Sequence, residues 1–155
     1  MTYVIQLERG DHNYQELEPM YRQHYSEMQA RLAADGIRIP EFNPRLDEYF
    51  RAFSGGWLLN YVVRQGEKAV GYANVYITND MHNSEKIAQE DLLYVLPEHR
   101  NGIGRKLVKH ILTDLKERGV KRVFIQPVTD LRVAKIWRRM GFRDVSETMV
   151  YDMES

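Results

Sequence analysis

Residues 88–126 have the pattern of a strand, a turn, a helix and a second strand. The first segment, AQEDLLYV at 88–95, becomes apolar just before Pro97, and KRVFIQ at 121–126 is rich in strand-forming residues. Between them, apolar residues recur at helical spacing and end before Gly119: Ile103, Leu107, Val108, Ile111, Leu112 and Leu115. A strand–helix–strand crossover within one sheet is right-handed, so we predict that these two strands are parallel.

The other segments complete the predicted order of elements. They are a strand at 2–7, helices at 16–32 and 45–53, an antiparallel hairpin of strands at 57–64 and 69–78, a short helix at 130–140, and one or two strands over 142–153. Pro19 fits the first helix only in its first turn. This order predicts an α/β fold with a mixed sheet and helices on both faces, formed by one domain over residues 1–155.

Composition excludes several classes of function. Lys and Arg together number 22, as do Asp and Glu, so no net charge favours nucleic acid or an acidic membrane. The chain has no cysteine, which excludes disulfides, thiolate metal sites and an acyl-cysteine intermediate. The five histidines show no metal-ligand spacing, and no apolar run is long enough for a membrane span. We therefore expect a cytoplasmic protein without a metal site.

The turn at 96–104 carries the main candidate for ligand binding. Gly102 and Gly104 precede and begin the helix, where free backbone N–H groups and the helix dipole favour an anion. Arg100 and Arg105 can add charge-assisted hydrogen bonds. On these residues alone, an ordinary turn with solvated arginines is an equally good interpretation.

The wider pattern favours the binding interpretation. LLYVLPEHRNGIGRKL, followed by a strand and then WRRMGF, resembles the GCN5-related N-acetyltransferase (GNAT) superfamily. The earlier segments HYSEM, VGYANV and MHNSEKIAQEDLLYV are faintly similar to small GNAT proteins of tailed phages. The resemblance implies a GNAT fold, acetyl-CoA as co-substrate and a loop that binds its pyrophosphate. The cofactor-binding residues that it implies are Tyr94, Val95, Arg100, Asn101, Gly102, Ile103, Gly104, Arg105, Asp130 and Trp137.

Three positions depart from the family pattern. Alignment on the glycines places His99 where the family has Arg or Gln, whereas alignment on the Pro-Glu motif places Arg100 there; we expect Arg100 to make the contact. Asp130 stands where Asn is frequent, and it would accept hydrogen bonds from pantetheine rather than donate them. Trp137 replaces a frequent tyrosine and is expected to pack against the pantetheine arm.

Acetyl transfer from a thioester to an amine requires a base for the amine proton. Glu90 and Asp91 are neighbours on a strand, so they point to opposite faces and only one can face the acetyl group. The resemblance favours Glu90, with Asp91 as the competitor; in the alternative interpretation both are solvated or ion-paired. Backbone N–H groups near Tyr94 and Val95 would polarise the thioester carbonyl. Tyr151, in the last predicted strand, either reaches the sulfur or has a packing role.

Two functions remain open at this level. The first is an acetyl-CoA-dependent N-acetyltransferase that acetylates a primary amine, on a small molecule or a protein, by direct attack in a ternary complex. The second is a catalytically weak or inactive GNAT-like module that binds CoA or another protein. Tyr49, Phe53 and Trp57 either line the acceptor side or belong to the core. Neither nucleic acid nor a membrane is an expected partner, and a homodimer is compatible with the sequence.

Overall fold

A computed structural model describes residues 2–127 and 133–154 of the chain. Its strands are β1 (Tyr3–Glu8), β2 (Leu58–Gln65), β3 (Lys68–Asn79), β4 (Lys86–Val95) and β5 (Arg122–Phe124). Its α-helices are α1 (Gly10–Ala33), α2 (Leu46–Gly55), α3 (Ile103–Glu117) and α4 (Val133–Arg139), and a short 3-10 helix covers Pro97–His99. The predicted elements up to β5 are present, with bounds that shift by a few residues.

The chain separates into two compact units. The first comprises the described residues of Met1–Arg22 and Pro44–Gln126, and the second those of Gln23–Asn43 and Pro127–Ser155. All five strands belong to the first unit. One domain over residues 1–155 stays a prediction.

The sheet follows the order of the chain, β1-β2-β3-β4-β5. The first three pairings are antiparallel, including the predicted hairpin of β2 and β3. β4 pairs with β5 in parallel, as the helix between them requires. The predicted mixed sheet is therefore confirmed.

Helices cover both faces of this sheet, as predicted. Apolar residues of α3 form one core with alternate residues of β2: Ile103, Leu107, Ile111 and Leu115 with Leu59, Tyr61 and Val63. On the opposite face, Ala52 and Phe53 of α2 pack against Leu58. The amide of Asn13 in α1 donates to Asn60 Oδ1 over 2.8 Å on that same face. Side chains of β2 thus alternate between two buried surfaces, which explains its almost unbroken burial.

Helix α1 begins six residues earlier than predicted. Its first turn is anchored where the Arg9 carbonyl accepts the N–H groups of His12 and Asn13. Gly10 is needed there, because a Cβ atom at this position would lie 2.5 Å from the Phe53 ring of α2. The placement of Pro19 in the first turn is consequently wrong, since Pro19 lies inside the helix. Pro19 has no N–H group, so α1 lacks one backbone hydrogen bond at this position.

The second unit contains the last part of α1, from Gln23 to Ala33, and helix α4. In its first part, the Tyr25 hydroxyl and the Gln29 amide both donate to the Pro40 carbonyl, over 2.6 and 3.0 Å. In its second part, α4 ends before Gly141, and the rings of Trp137 and Phe142 lie 6.5 Å apart. The predicted helix at 130–140 is present from Val133, while residues 130–132 lie outside the described part of the chain.

The strands predicted over 142–153 are wrong. Residues 142–154 adopt no strand, and apolar side chains among them, such as Val145 and Met149, are exposed. β-branched and aromatic residues raise strand propensity, but a strand forms only where a neighbour completes its backbone hydrogen bonds. The packing role considered for Tyr151 is also wrong, because this side chain is 85% exposed.

Candidate active site

Strands β4 and β5 are paired over only three residues each. Ile87, Ala88 and Gln89 pair with Arg122, Val123 and Phe124, after which β5 ends. β4 continues to Val95, so its last six residues extend beyond the parallel pairing. The first of these six is Glu90, whose Oε2 accepts the backbone N–H of Gln126 over 3.2 Å. A carboxyl group therefore lies at the point where the two strands part.

The environment of Glu90 changes its acidity. Burial raises the pKa of Glu90 from 4.5 to about 7, the hydrogen bond from Gln126 opposes this change, and the charge of Asp91 adds to it. Glu90 pairs with Val75, which belongs to the core beneath α3, so its side chain is on the α3 face of the sheet. A carboxyl group with a pKa near neutrality can both take up and release a proton under physiological conditions.

Asp91 lies at a β-bulge. Asn74 pairs with Leu92 and Val75 with Glu90, so Asp91 has no partner residue on β3. Its carboxylate accepts a hydrogen bond of 3.0 Å from the Tyr49 hydroxyl of α2. Asp91 is therefore on the α2 face and Glu90 on the α3 face. Burial raises the pKa of Asp91, and the hydrogen bond from Tyr49 limits the rise.

The turn after β4 is held by short-range hydrogen bonds. Pro97 starts the 3-10 turn, and the His99 N–H donates to the Leu96 carbonyl over 2.9 Å. The Arg100 Nε donates to the Val95 carbonyl over 2.7 Å, and its guanidinium carbon lies 5.1 Å from the centre of the Tyr94 ring. Arg100 is thus positioned against the end of β4.

His99, the other candidate for the family's Arg or Gln position, is oriented differently. Its Nδ1 lies 2.9 Å from the Tyr3 hydroxyl, and the two rings meet edge to face. The contact connects this turn to β1.

The first turn of α3 presents backbone donors. Gly102 is the N-cap residue at φ 86°, a left-handed conformation that favours glycine, and it has no side chain that could cap the helix. The first helical hydrogen bond runs from the Lys106 N–H to the Gly102 carbonyl over 3.2 Å. The N–H groups of Ile103, Gly104 and Arg105 precede it and have no partner within the helix. Apart from the helix backbone and the two neighbouring residues, no atom of the described residues lies within 4 Å of the position of a Cβ at Gly104, so an anion can approach the backbone there.

Most of the predicted site residues lie in the first unit. They follow one another from the end of β4 to the first turn of α3: Glu90, Asp91, Tyr94, Val95, Arg100, Asn101, Gly102, Ile103, Gly104 and Arg105. Asp130 lies outside the described residues. Trp137, which is buried, and Tyr151 belong to the second unit. The cofactor-binding roles expected for Asp130 and Trp137, and the catalytic role considered for Tyr151, stay predictions.

The bond between Tyr49 and Asp91 was not predicted, although Tyr49 was a candidate for the acceptor side. The apolar spacing of residues 45–53 indicates that Tyr49 faces the sheet, but it does not indicate which strand residue Tyr49 contacts. The bulge at Asp91 also has no sequence signal, because no glycine or proline accompanies it.

Comparison with known proteins identifies the family. The model of the Acetyltransferase (GNAT) family matches residues 11–142. The chain belongs to this family. No curated protein matches the chain in sequence.

Solved structures show that the GNAT fold extends over almost the whole chain. An aminoglycoside acetyltransferase from an uncultured soil metagenomic sample has 16% identity and a TM-score of 0.72, over 99% of this chain and 98% of its own. A ribosomal-protein-alanine N-acetyltransferase from Brucella melitensis biovar Abortus 2308 has 15% identity and a TM-score of 0.75, over 98% and 100%. A GCN5-related N-acetyltransferase from Ralstonia eutropha JMP134 has 18% identity and a TM-score of 0.71, over 99% and 100%.

Two further findings concern residues 2–127 and 133–154. None of the helices there combines the length and the apolar character that a membrane span requires. No group of three or more His, Asp or Glu side chains in these ranges is arranged to hold a metal ion.

Proposed function

We propose that this GNAT protein is an acetyl-CoA-dependent N-acetyltransferase that acetylates a primary amine by direct attack in a ternary complex. The observation that carries the proposal is the position of Glu90. Its carboxyl group has a pKa near neutrality and lies where β4 and β5 part, on the strand that leads to the open first turn of α3.

The first turn of α3 would bind the pyrophosphate of acetyl-CoA. The N–H groups that precede the first helical bond supply donors, and Gly102 and Gly104 leave the backbone accessible. Arg105 adds positive charge at the same helix end. The Arg100 guanidinium, held at the end of β4, would set the electrostatic potential beside the pyrophosphate rather than clamp it.

Glu90 would act as the base. The amine nitrogen attacks the thioester carbonyl, the carbon–sulfur bond breaks, and the new amide and a thiolate result. Glu90 takes the proton that the amine loses, directly or through water, and solvent returns a proton to the thiolate. Because a thiol has a pKa of about 8.5, the thiolate leaves without a dedicated acid.

The acceptor is an amine of a small molecule or of a protein. Two structural relatives, an aminoglycoside acetyltransferase and a ribosomal-protein-alanine N-acetyltransferase, represent these two classes. Both classes therefore belong in the substrate screen.

Two measurements test the proposal. Isothermal titration with acetyl-CoA should show binding at one site per chain. Release of free thiol from acetyl-CoA should then be accelerated by at least one amine in a panel of small amines, aminoglycosides and peptides with a free N-terminus. Binding without accelerated thiol release from any amine would instead support the CoA-binding module. Absence of binding would contradict both and favour a module that keeps the fold and binds another protein.

A further inference from the structure

The α2 face of β4 holds an acid that the proposed chemistry does not use. Asp91 is half-buried, and its hydrogen-bond partner is the neutral hydroxyl of Tyr49. Within residues 2–127 and 133–154, no lysine, arginine or histidine forms an ion pair with it. Buried carboxylates are normally paired with a cation, because an uncompensated charge is costly to remove from water.

Two tyrosines lie near this carboxylate, and Tyr49 contacts it directly. The charge of Asp91 contributes to the raised pKa of Tyr49 and of Tyr76, although burial is the larger cause for both, so both phenols lie within its electrostatic reach. Tyr76 stacks on Trp57, with ring centres 5.7 Å apart and planes inclined by 25°. We refer to Tyr49, Tyr76 and Trp57 as the aromatic patch.

Trp57 extends the patch to the surface. Its side chain is 48% exposed, which is unusual for an indole, yet it is held in place. Gly55 leaves room for it, since a Cβ atom there would lie 3.1 Å from the indole. The backbone carbonyl of Trp57 also accepts the N–H of Ile77 over 2.9 Å.

A second acidic residue, Glu48, also acts on Tyr76. The charge of Glu48 contributes to the raised pKa of Tyr76, after burial and the charge of Asp91. Glu48 is itself paired with Arg45 over 2.5 Å, on the exposed side of α2. Of these two acidic residues, Glu48 has a cationic partner, whereas Asp91 has none among residues 2–127 and 133–154.

A carboxylate close to aromatic rings is complementary to an ammonium group. The carboxylate supplies charge, and the rings attract a cation through their negative faces while excluding water. A neutral hydroxyl or methyl group would gain neither effect.

We infer that Asp91 and the aromatic patch bind a positively charged group of the acceptor, so that the substrate is a diamine or a longer polyamine. This inference rests on the proposed function. Glu90 and Asp91 are adjacent in the chain but lie on opposite faces of the sheet, so they can contact two different nitrogens of one acceptor. One ammonium group binds at Asp91, while Glu90 takes the proton of the reacting nitrogen. Asp91 is then a specificity residue rather than the base.

Two acceptors of equal length provide the kinetic test. 1,5-Diaminopentane and 5-amino-1-pentanol differ in whether the far end is an ammonium or a hydroxyl group. The wild type should prefer the diamine by at least about tenfold in kcat/KM, and Asp91→Asn should reduce this preference to below about threefold, mainly through KM. Glu90→Gln should lower kcat for both amines and leave the preference intact.

Asp91→Asn is a conservative change, because the amide oxygen can still accept the Tyr49 hydroxyl. Glu117→Gln, at an exposed position in α3, removes the same charge away from the patch and should keep the wild-type preference. Equal kcat/KM values for the two amines in the wild type, or an unchanged preference in Asp91→Asn, would overturn the inference.

A binding measurement separates this inference from the proposed function. Isothermal titration with 1,5-diaminopentane, with and without coenzyme A, involves no acetyl group to transfer. We expect binding that is at least about tenfold weaker in Asp91→Asn and unchanged in Glu117→Gln. If the diamine binds in this pattern but no amine accelerates thiol release, the proposed enzymatic function is refuted and the cation site is retained. Absence of diamine binding by the wild type up to about 50 mM, or equal binding in the two variants, would refute the cation site.

Discussion

Replacing Glu90 by glutamine should stabilise the protein above neutral pH while it removes the base. Glutamine keeps the shape of the side chain, and its amide oxygen can accept the Gln126 N–H that Glu90 now accepts. What the substitution removes is the cost of ionising a carboxyl group in a partly buried position.

The magnitude follows from the pKa of Glu90, which rises from 4.5 in the unfolded chain to about 7 in the fold. A carboxyl group whose folded pKa is raised costs nothing below pH 4.5, where it is protonated in both states. The cost grows between pH 4.5 and 7 and is complete above pH 7. Each tenfold change in proton affinity is worth about 1.4 kcal/mol, so the upper limit is about 3.4 kcal/mol. Partial solvent screening reduces this to about 1–3 kcal/mol.

Thermal unfolding at two pH values is the assay. For a chain of this size, about 1 kcal/mol corresponds to about 3 °C in Tm, so Glu90→Gln should raise the Tm by about 3–9 °C at pH 8. At pH 5 the gain should be below about 2 °C, because this pH is only slightly above the pKa of 4.5 in the unfolded chain, so only a small part of the cost has developed. The control Glu117→Gln, at an exposed position, should change the Tm little at either pH. A Tm for Glu90→Gln that is lower than that of the wild type at pH 8, or a gain equal at both pH values, would refute the reasoning.

The other predictions concern acetyl-CoA binding. Gly104→Val fills the open space above the first turn of α3, so affinity for acetyl-CoA measured by isothermal titration should fall at least about tenfold, while the Tm stays within about 2 °C. Unchanged affinity would contradict the assignment of this turn to the pyrophosphate. Arg100→Ala removes charge but not the backbone donors, so affinity should fall only about three- to tenfold at low salt and less at high salt. An effect that does not change between low and high salt would show that Arg100 acts through its bond to Val95 instead.

Much of the fold could be predicted because its signals are local. The helical spacing that ends at Gly119 and the apolar strands on either side require a crossover, and the crossover requires parallel pairing of β4 and β5. The start of α1 was missed because it depends on Gly10 meeting Phe53, a contact between residues far apart in the chain. The tail strands were predicted from propensity, which carries no information about a pairing neighbour.

The sequence predicted which residues form the candidate site, but not how their side chains are arranged and which contacts they make. The glycines at 102 and 104 are recognisable because a left-handed N-cap and an open backbone require that residue type. The separation of Glu90 from Asp91 follows from strand geometry, whereas the bulge that directs Asp91 to Tyr49 depends on the register between β3 and β4. The acidity of Glu90 depends on burial, which no single residue type encodes.

The ratio of kcat/KM between the wild type and Glu90→Gln, followed from pH 6 to pH 9, tests the account most directly. Ionisation of the amine affects both proteins and cancels in the ratio, which leaves the titration of Glu90. With a pKa of about 7, the ratio should rise about tenfold between pH 6 and pH 8 and then level off, reaching about ten to a thousand. A ratio that is near one, or that does not change with pH, would show that Glu90 is not the base.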